Sequence, residues 1–187
     1  MAVRMFAALV PPDAVLDHLE YGLAAVRGGA AESLRWVPRE NLHLTLAFYG
    51  DVPEGAVPDL TTGLATLAQR SAAPQIALSG AGAFSGRTLW LGLAGDVAGV
   101  QGLMTGAQQL LDHETHDGPP RPHVTVARTG RRARAGAASV LAEAVRALAV
   151  YRGPSWRPGA IALMSSHLGE GPAGAPRYLV EASTPLG

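Results

Sequence analysis

Hydrophobic residues along this chain fall into two rhythms, one of period two and one near 3.6, and the switches between them outline alternating strands and helices. Val3 to Val10 is a nearly continuous apolar run and predicts a first strand. Pro12-Asp13 opens a helix carrying Val15, Leu16, Leu19, Leu23 and Val26 at helical spacing, and Gly28-Gly29 ends it. Leu34 to Asn41 reads as a turn region, and Leu42 to Tyr49 as a strand closed by Gly50-Asp51. A second helix fits Ala56 to Arg70. Gln75 to Leu78 and Thr88 to Leu93 predict a strand pair joined through Gly80 to Gly86, where Ser and Gly favour a turn or bulge.

The second half repeats the theme. Val97 to His113 sets Val100, Leu103, Met104, Ala107, Leu110 and Leu111 on one helical face, and a loop with Pro119-Pro120 leads to another strand. Ala135 to Val150 predicts a helix with Val140, Leu141, Ala144 and Leu148 inward. Ala160 to His167 and Tyr178 to Ser183 are the last strands, separated by the turn-rich Gly169 to Pro176. This mixed order predicts an α+β fold built from two similar lobes within one domain, residues 1–187.

One pattern recurs in the two halves: His43-Leu44-Thr45-Leu46 and His123-Val124-Thr125-Val126, 80 residues apart. In an extended strand side chains alternate, so His43 and Thr45 share one face while Leu42, Leu44 and Leu46 take the other. His123 and Thr125 likewise oppose Val124 and Val126. Each apolar face suits burial, leaving an imidazole and a hydroxyl side by side toward a cleft. Two such histidines are the parts for paired acid and base chemistry, because a pKa of about 6.5 lets one ring be neutral and the other protonated near neutral pH.

Composition narrows the chemistry. All 15 basic residues are Arg, and the chain contains neither Lys nor Cys. That excludes a Walker A lysine, a Schiff base and a lysyl-nucleotide intermediate, and with the last goes ATP-dependent strand joining of the usual covalent kind. It also excludes a thiol nucleophile, a thiolate metal site and disulfides. The 187 residues, 48% of them hydrophobic, can bury roughly 70% of their unfolded surface as one domain. The formal net charge is zero, so any attraction for nucleic acid must be local. Met1 to Val10 is too short for a signal peptide, and no apolar run approaches the roughly 20 residues of a membrane span, so a soluble, cytoplasmic protein is expected.

The doubled His-x-Thr-x resembles the 2H phosphoesterase superfamily. The strings Arg35-Trp36-Val37-Pro38-Arg39-Glu40-Asn41-Leu42-His43-Leu44-Thr45-Leu46 and Arg121-Pro122-His123-Val124-Thr125-Val126-Ala127-Arg128 resemble its bacterial RNA 2′,3′-cyclic phosphodiesterase branch, also described as 2′-5′ RNA ligase. Met5-Phe6-Ala7-Ala8-Leu9 and Leu89-Trp90-Leu91-Gly92 fit that branch too, so the resemblance spans nearly the whole chain. It implies a bilobal fold with pseudo-twofold symmetry, an antiparallel sheet flanked by helices in each lobe, and a cleft receiving one His-x-Thr from each. It further implies hydrolysis of a 2′,3′-cyclic phosphate, on RNA ends or small nucleotides, to the 2′-phosphate, with no metal or nucleotide cofactor and no membrane, by a monomer. His43 is then the acid at the leaving 3′ oxygen and His123 the base for water, roles that the residues alone leave interchangeable. Two other readings use the same residues: ligation in the reverse direction, and a binding module without turnover.

Thr45 and Thr125 can donate to non-bridging phosphate oxygens. The resemblance makes Arg128 the charged clamp; strict alternation puts it on the face of Val124, so that role needs a bulge, a strand end or a long reach. Phe48 occupies the equivalent position in the first copy, five after its histidine. An aromatic at the cleft edge can stack on a base. Parity with Leu42, Leu44 and Leu46 nevertheless favours a core position for Phe48.

Other features carry less. Arg121, Arg131, Arg132 and Arg134 form a phosphate track or simply a solvated face. His113, Glu114, His116 and Asp117 have ligand chemistry but match no zinc spacing. Gly169-Glu170-Gly171-Pro172-Ala173-Gly174 formally matches a dinucleotide glycine pattern, yet no helix can start after it, so a turn is expected. Trp36, Trp90 and Trp156 read as core or cleft wall, and His18 and His167 as structural or exposed.

Overall fold

Nine strands in one antiparallel sheet account for the strand structure of the described residues, which are 2–30, 34–111, 120–130 and 136–187 of a computed structural model. In chain order the elements are β1 (Ala2–Leu9), α1 (Asp13–Ala30), β2 (Leu34–Trp36), β3 (Leu44–Pro53), α2 (Val57–Gln69), β4 (Ile76–Phe84), β5 (Thr88–Gly95), α3 (Val97–Gln108), β6 (Val124–Thr129), α4 (Ala137–Leu148), β7 (Arg152–Trp156), β8 (Ala160–His167) and β9 (Arg177–Pro185). The spatial order is β7-β4-β5-β6-β3-β1-β8-β9, with β2 also pairing with β6. Four strands of this path therefore lie on each side of a seam between β6 and β3. The expected α+β architecture is present, and its two halves form one continuous sheet.

Periodicity explains the helices. Leu60, Leu64 and Ala68 of α2, Val100, Leu103, Met104 and Ala107 of α3, and Ala137, Leu141, Ala144 and Leu148 of α4 are buried at i, i+3 and i+4 spacings. Most of them join Leu44, Leu46, Val124 and Val126 in one core. The Asp96 carboxylate caps α3, accepting from the Gly99 amide at 2.9 Å. None of these helices is long and apolar enough to cross a membrane. A smaller cluster of Phe6, Ala8, Ala162 and Met164, with Tyr178 against it, is separate from that core.

Several boundaries depart from the sequence pattern. β2 forms inside the predicted turn region, held by pairing with β6. β3 starts at Leu44 rather than Leu42 and runs to Pro53, passing through Gly50 at φ +67°. β4 continues through Gly80 to Phe84, with Gly80 at φ +66° accommodating a bulge opposite β5, and the chain reverses at Ser85-Gly86. β7 is not legible in the sequence because an edge strand with only Trp156 buried has no apolar alternation. The predicted ends at His113 and Ala135 lie outside the described residues.

Candidate active site

β3 and β6 touch at a single register pair, Leu44 opposite Val124. Continuing that antiparallel register by one residue each way sets His43 level with Thr125, and Thr45 level with His123. Leu44 and Val124 are both fully buried. The pleat therefore turns the two histidines and two threonines to the opposite face, where all four line one cleft of about 800 Å³.

Each imidazole is oriented by backbone. The Nδ1 of His43 lies 2.7 Å from the carbonyl oxygen of Asn41, and the Nδ1 of His123 lies 2.7 Å from that of Arg121. A carbonyl only accepts, so both Nδ1 atoms carry hydrogen and the reactive nitrogen of each ring is Nε2. The supporting peptides are themselves pinned: the Asn41 side chain, buried after the short 3₁₀ turn Arg39–Asn41, donates to the Pro176 carbonyl at 2.8 Å, and Gln101 of α3 donates to the Pro120 carbonyl at 3.0 Å. Thr45 and Thr125 are both half-buried cleft groups.

Matching bulges set the third cleft position on each strand. Opposite β1, Ala7 faces Ala47 but Ala8 faces Thr45, so Leu46 is the extra residue. Opposite β5, Leu89 faces Ala127 but Trp90 faces Thr125, so Val126 is the extra residue. From each histidine onward the burial runs half-buried, buried, half-buried, buried, buried, exposed. The extra residue reverses the parity and returns Phe48 and Arg128 to the cleft. The expectation that Phe48 belongs to the core is therefore corrected: it is 45% exposed and lines the cleft, with the Arg4 guanidinium 4.8 Å from its ring centre. Arg128 reaches the cleft through the Val126 bulge, one of the three routes that strict alternation left open.

Aromatic rings bracket both histidines. Phe6 lies 4.8 Å and Tyr178 5.4 Å from His43, centre to centre. Phe84 lies 4.8 Å and Trp90 6.2 Å from His123. Trp90 covers Gly82, its partner across β4 and β5, where a Cβ would collide with the indole. Burial lowers the pKa of His43, and the positive charges of Arg128 and His123 lower it further against the opposing bond to Asn41. His123 is lowered by burial and by Arg128, against the bond to Arg121. Burial raises the Tyr178 phenol, while Arg128 and Arg4 oppose that shift.

Arg4, Arg35 and Arg128 line the cleft, and no carboxylate does so among the described residues. This places a local positive field inside a chain of zero net charge. His43, His123, Thr45, Thr125, Arg128 and Phe48 thus share one cavity. Arg121 is exposed and contributes its carbonyl, while Arg131, Arg132 and Arg134, and the cluster His113, Glu114, His116 and Asp117, lie outside the described residues. Among the described residues no group of three or more His, Asp or Glu side chains could hold a metal ion. Trp156 is core, whereas Trp36 is cleft wall. His18 meets the Tyr151 hydroxyl at 3.0 Å, and His167 meets buried Ser165 at 3.1 Å. The glycine-rich 169–174 segment contains only the one-turn 3₁₀ helix Pro172–Gly174 and lines the cleft.

Tyr178, Phe84, Asn41 and Arg4 escape a reading of the sequence alone. Arg4 has a signal, a charge in an otherwise apolar strand; Asn41 acts two residues from His43 through its carbonyl, which no side-chain pattern marks, and Tyr178 and Phe84 are brought in by pairings far apart in sequence.

Three relatives and neighbours bear on this arrangement. An RNA 2′,3′-cyclic phosphodiesterase of Geobacillus stearothermophilus is 35% identical over 142 residues, 71% of this chain and 44% of that protein. The aligned region thus spans less than half of that relative's length. One from Thermus thermophilus is 32% identical over 137 residues, 67% of this chain and 68% of that protein. Among solved structures, that of TT0787 of Thermus thermophilus superposes with a TM-score of 0.74 at 28% identity, covering 98% of this chain and 97% of its own. The sequence profile of the 2′-5′ RNA ligase superfamily matches residues 11–170, and with both copies of the His-x-Thr-x motif inside that span the chain belongs to this family.

Proposed function

We propose that this protein hydrolyses 2′,3′-cyclic phosphates, on RNA ends or small nucleotides, to 2′-phosphomonoesters without a metal or nucleotide cofactor, acting as a monomer in the cytoplasm. The observation that carries the reading is the pair of backbone-oriented imidazoles whose Nε2 atoms are left for one cleft. The activity named for the Geobacillus and Thermus relatives supports it.

In this reading His123 takes a proton from water as its oxygen attacks phosphorus, and His43, protonated, gives its proton to the departing 3′ oxygen. The P–O3′ bond breaks as the new P–O bond forms, leaving a 2′-phosphate and a 3′-hydroxyl. Thr45, Thr125 and Arg128 hold the non-bridging oxygens, where negative charge accumulates. Phe48 offers its exposed ring to the base. Run in the same direction with an RNA 5′-hydroxyl in place of water, the same groups would form the P–O5′ bond as P–O3′ breaks and so make a 2′-5′ linkage, in keeping with the family's name.

A nucleoside 2′,3′-cyclic phosphate incubated with the protein and EDTA, with the product read by phosphorus NMR, tests this. The 2′-phosphate is expected. A 3′-phosphate would overturn the assignment of acid and base, and untouched substrate would leave a binding module.

A further inference from the structure

A 2′,3′-cyclic phosphate carries one negative charge. The cleft offers more than that: Arg4, Arg35 and Arg128 line it, and although Asp51 stands across from Arg4 in the β1–β3 pairing, no carboxylate lines the cleft among the described residues. Arg39, at the start of the 3₁₀ turn, is by contrast neutralised. Arg39 reaches Asp17 at 2.8 Å, Asp13 at 3.0 Å and Glu20 at 3.2 Å.

Arg35 is the unexplained member. It sits directly across from Arg128 in the β2–β6 pairing, both exposed on the cleft side. Side chains so paired start about 5 Å apart at Cβ, and like charges in that position repel. Arg4 rests on the Phe48 ring, but neither Arg35 nor Arg128 has an ion pair among the described residues. An arrangement that costs energy empty gains when anions occupy it. Arg128, on the same strand as Thr125 and lining the same cleft, takes the reacting phosphate under the proposed function.

We infer that Arg35 holds a second phosphate group, the one on the 5′ side of the ribose that bears the cyclic phosphate. The site then takes nucleotides with a 5′-phosphate and RNA ends in preference to a bare nucleoside 2′,3′-cyclic phosphate. This rests on the proposed reaction and adds a substrate class to it. Arg35 determines specificity here and takes no part in proton transfer. Its planar fork suits two oxygens of one phosphate, which a lysine cannot match.

The test compares kcat/KM for three substrates sharing one base: the nucleoside 2′,3′-cyclic phosphate, the same molecule with a 5′-phosphate, and a dinucleotide ending in the cyclic phosphate. The wild type is expected to favour both phosphate-bearing substrates by on the order of tenfold to a hundredfold, as for a charge-assisted hydrogen bond. That preference should fall toward unity in Arg35→Ala, recover in part in Arg35→Lys, and weaken with added salt. A preference for the 5′-phosphate alone identifies a terminal phosphomonoester as the ligand; preference for both extends it to the internucleotide diester. Equal use of all three substrates by the wild type, or an unchanged ratio in Arg35→Ala, overturns the inference while leaving the reaction intact. Failure to cleave any of the three overturns both.

Discussion

Asn41 holds His43 and Pro176 at once: its carbonyl oxygen takes the Nδ1–H of His43 at 2.7 Å while its side-chain amide donates to the Pro176 carbonyl at 2.8 Å. The segment ending at Pro176 forms part of the cleft wall. Asn41→Ala should cost about 1–3 kcal/mol of stability in denaturant unfolding, since a partly buried carbonyl loses its donor. Turnover should fall several-fold, because the peptide carrying the His43 acceptor loses its anchor. Unchanged stability and kinetics would show that the β8–β9 loop holds itself.

His43→Ala and His123→Ala should each lower turnover by about 10²–10⁴ with the fold intact by circular dichroism, each removing one proton-transfer partner. Near wild-type rates in either would defeat the paired mechanism.

The pH profile of kcat/KM should be a bell, rising as the base loses its proton and falling as the acid loses its own. Both histidine pKa values are lowered, so the bell should centre below about 6.5, and Arg128→Gln should move it to higher pH while reducing its height, because that guanidinium is one of the charges holding both down. A bell that stays in place on removal of Arg128 would contradict this coupling. Both rings bind protons less tightly folded than unfolded, so their contribution to stability is present above about pH 6.5 and lost as pH falls through the lowered folded values.

Thr45→Val and Thr125→Val keep the shape of the strand and delete one hydroxyl each. Each should lose roughly 1–3 kcal/mol of transition-state stabilisation, read from kcat/KM. Unaltered efficiency in both would make the threonines plain strand residues.

Gly82→Ala touches no group that meets substrate, yet its new methyl collides with the Trp90 indole, which packs beside His123. Activity should drop and tryptophan fluorescence should shift. Alanine at 82 with wild-type kinetics would mean that Trp90 can move without disturbing His123.

One layer of this site is readable in the sequence and another is hidden. His43, His123, Thr45 and Thr125 follow from a two-residue period that any strand imposes. Arg128 carries its own flag, a functional residue on the wrong parity. Phe48 carries the same flag, but an aromatic on the apolar parity passes for core, so only the register opposite Ala7 and Ala8 exposes it. Tyr178 and Phe84 reach the histidines through strand pairing remote in sequence, which local periodicity does not encode. β2 is invisible because three residues are too few to display a period.

The matched bulges at Leu46 and Val126 give the cleft two sockets of equal geometry and unequal chemistry, an aromatic ring in one and a guanidinium in the other. Two identical sockets related by a twofold axis would admit a nucleotide in either of two orientations, exchanging the duties of the histidines and releasing a mixture of phosphate isomers. Under the proposed reaction, Phe48 and Arg128 would remove that degeneracy, so the regiochemical outcome would depend on the positions three residues beyond each threonine as well as on the histidines.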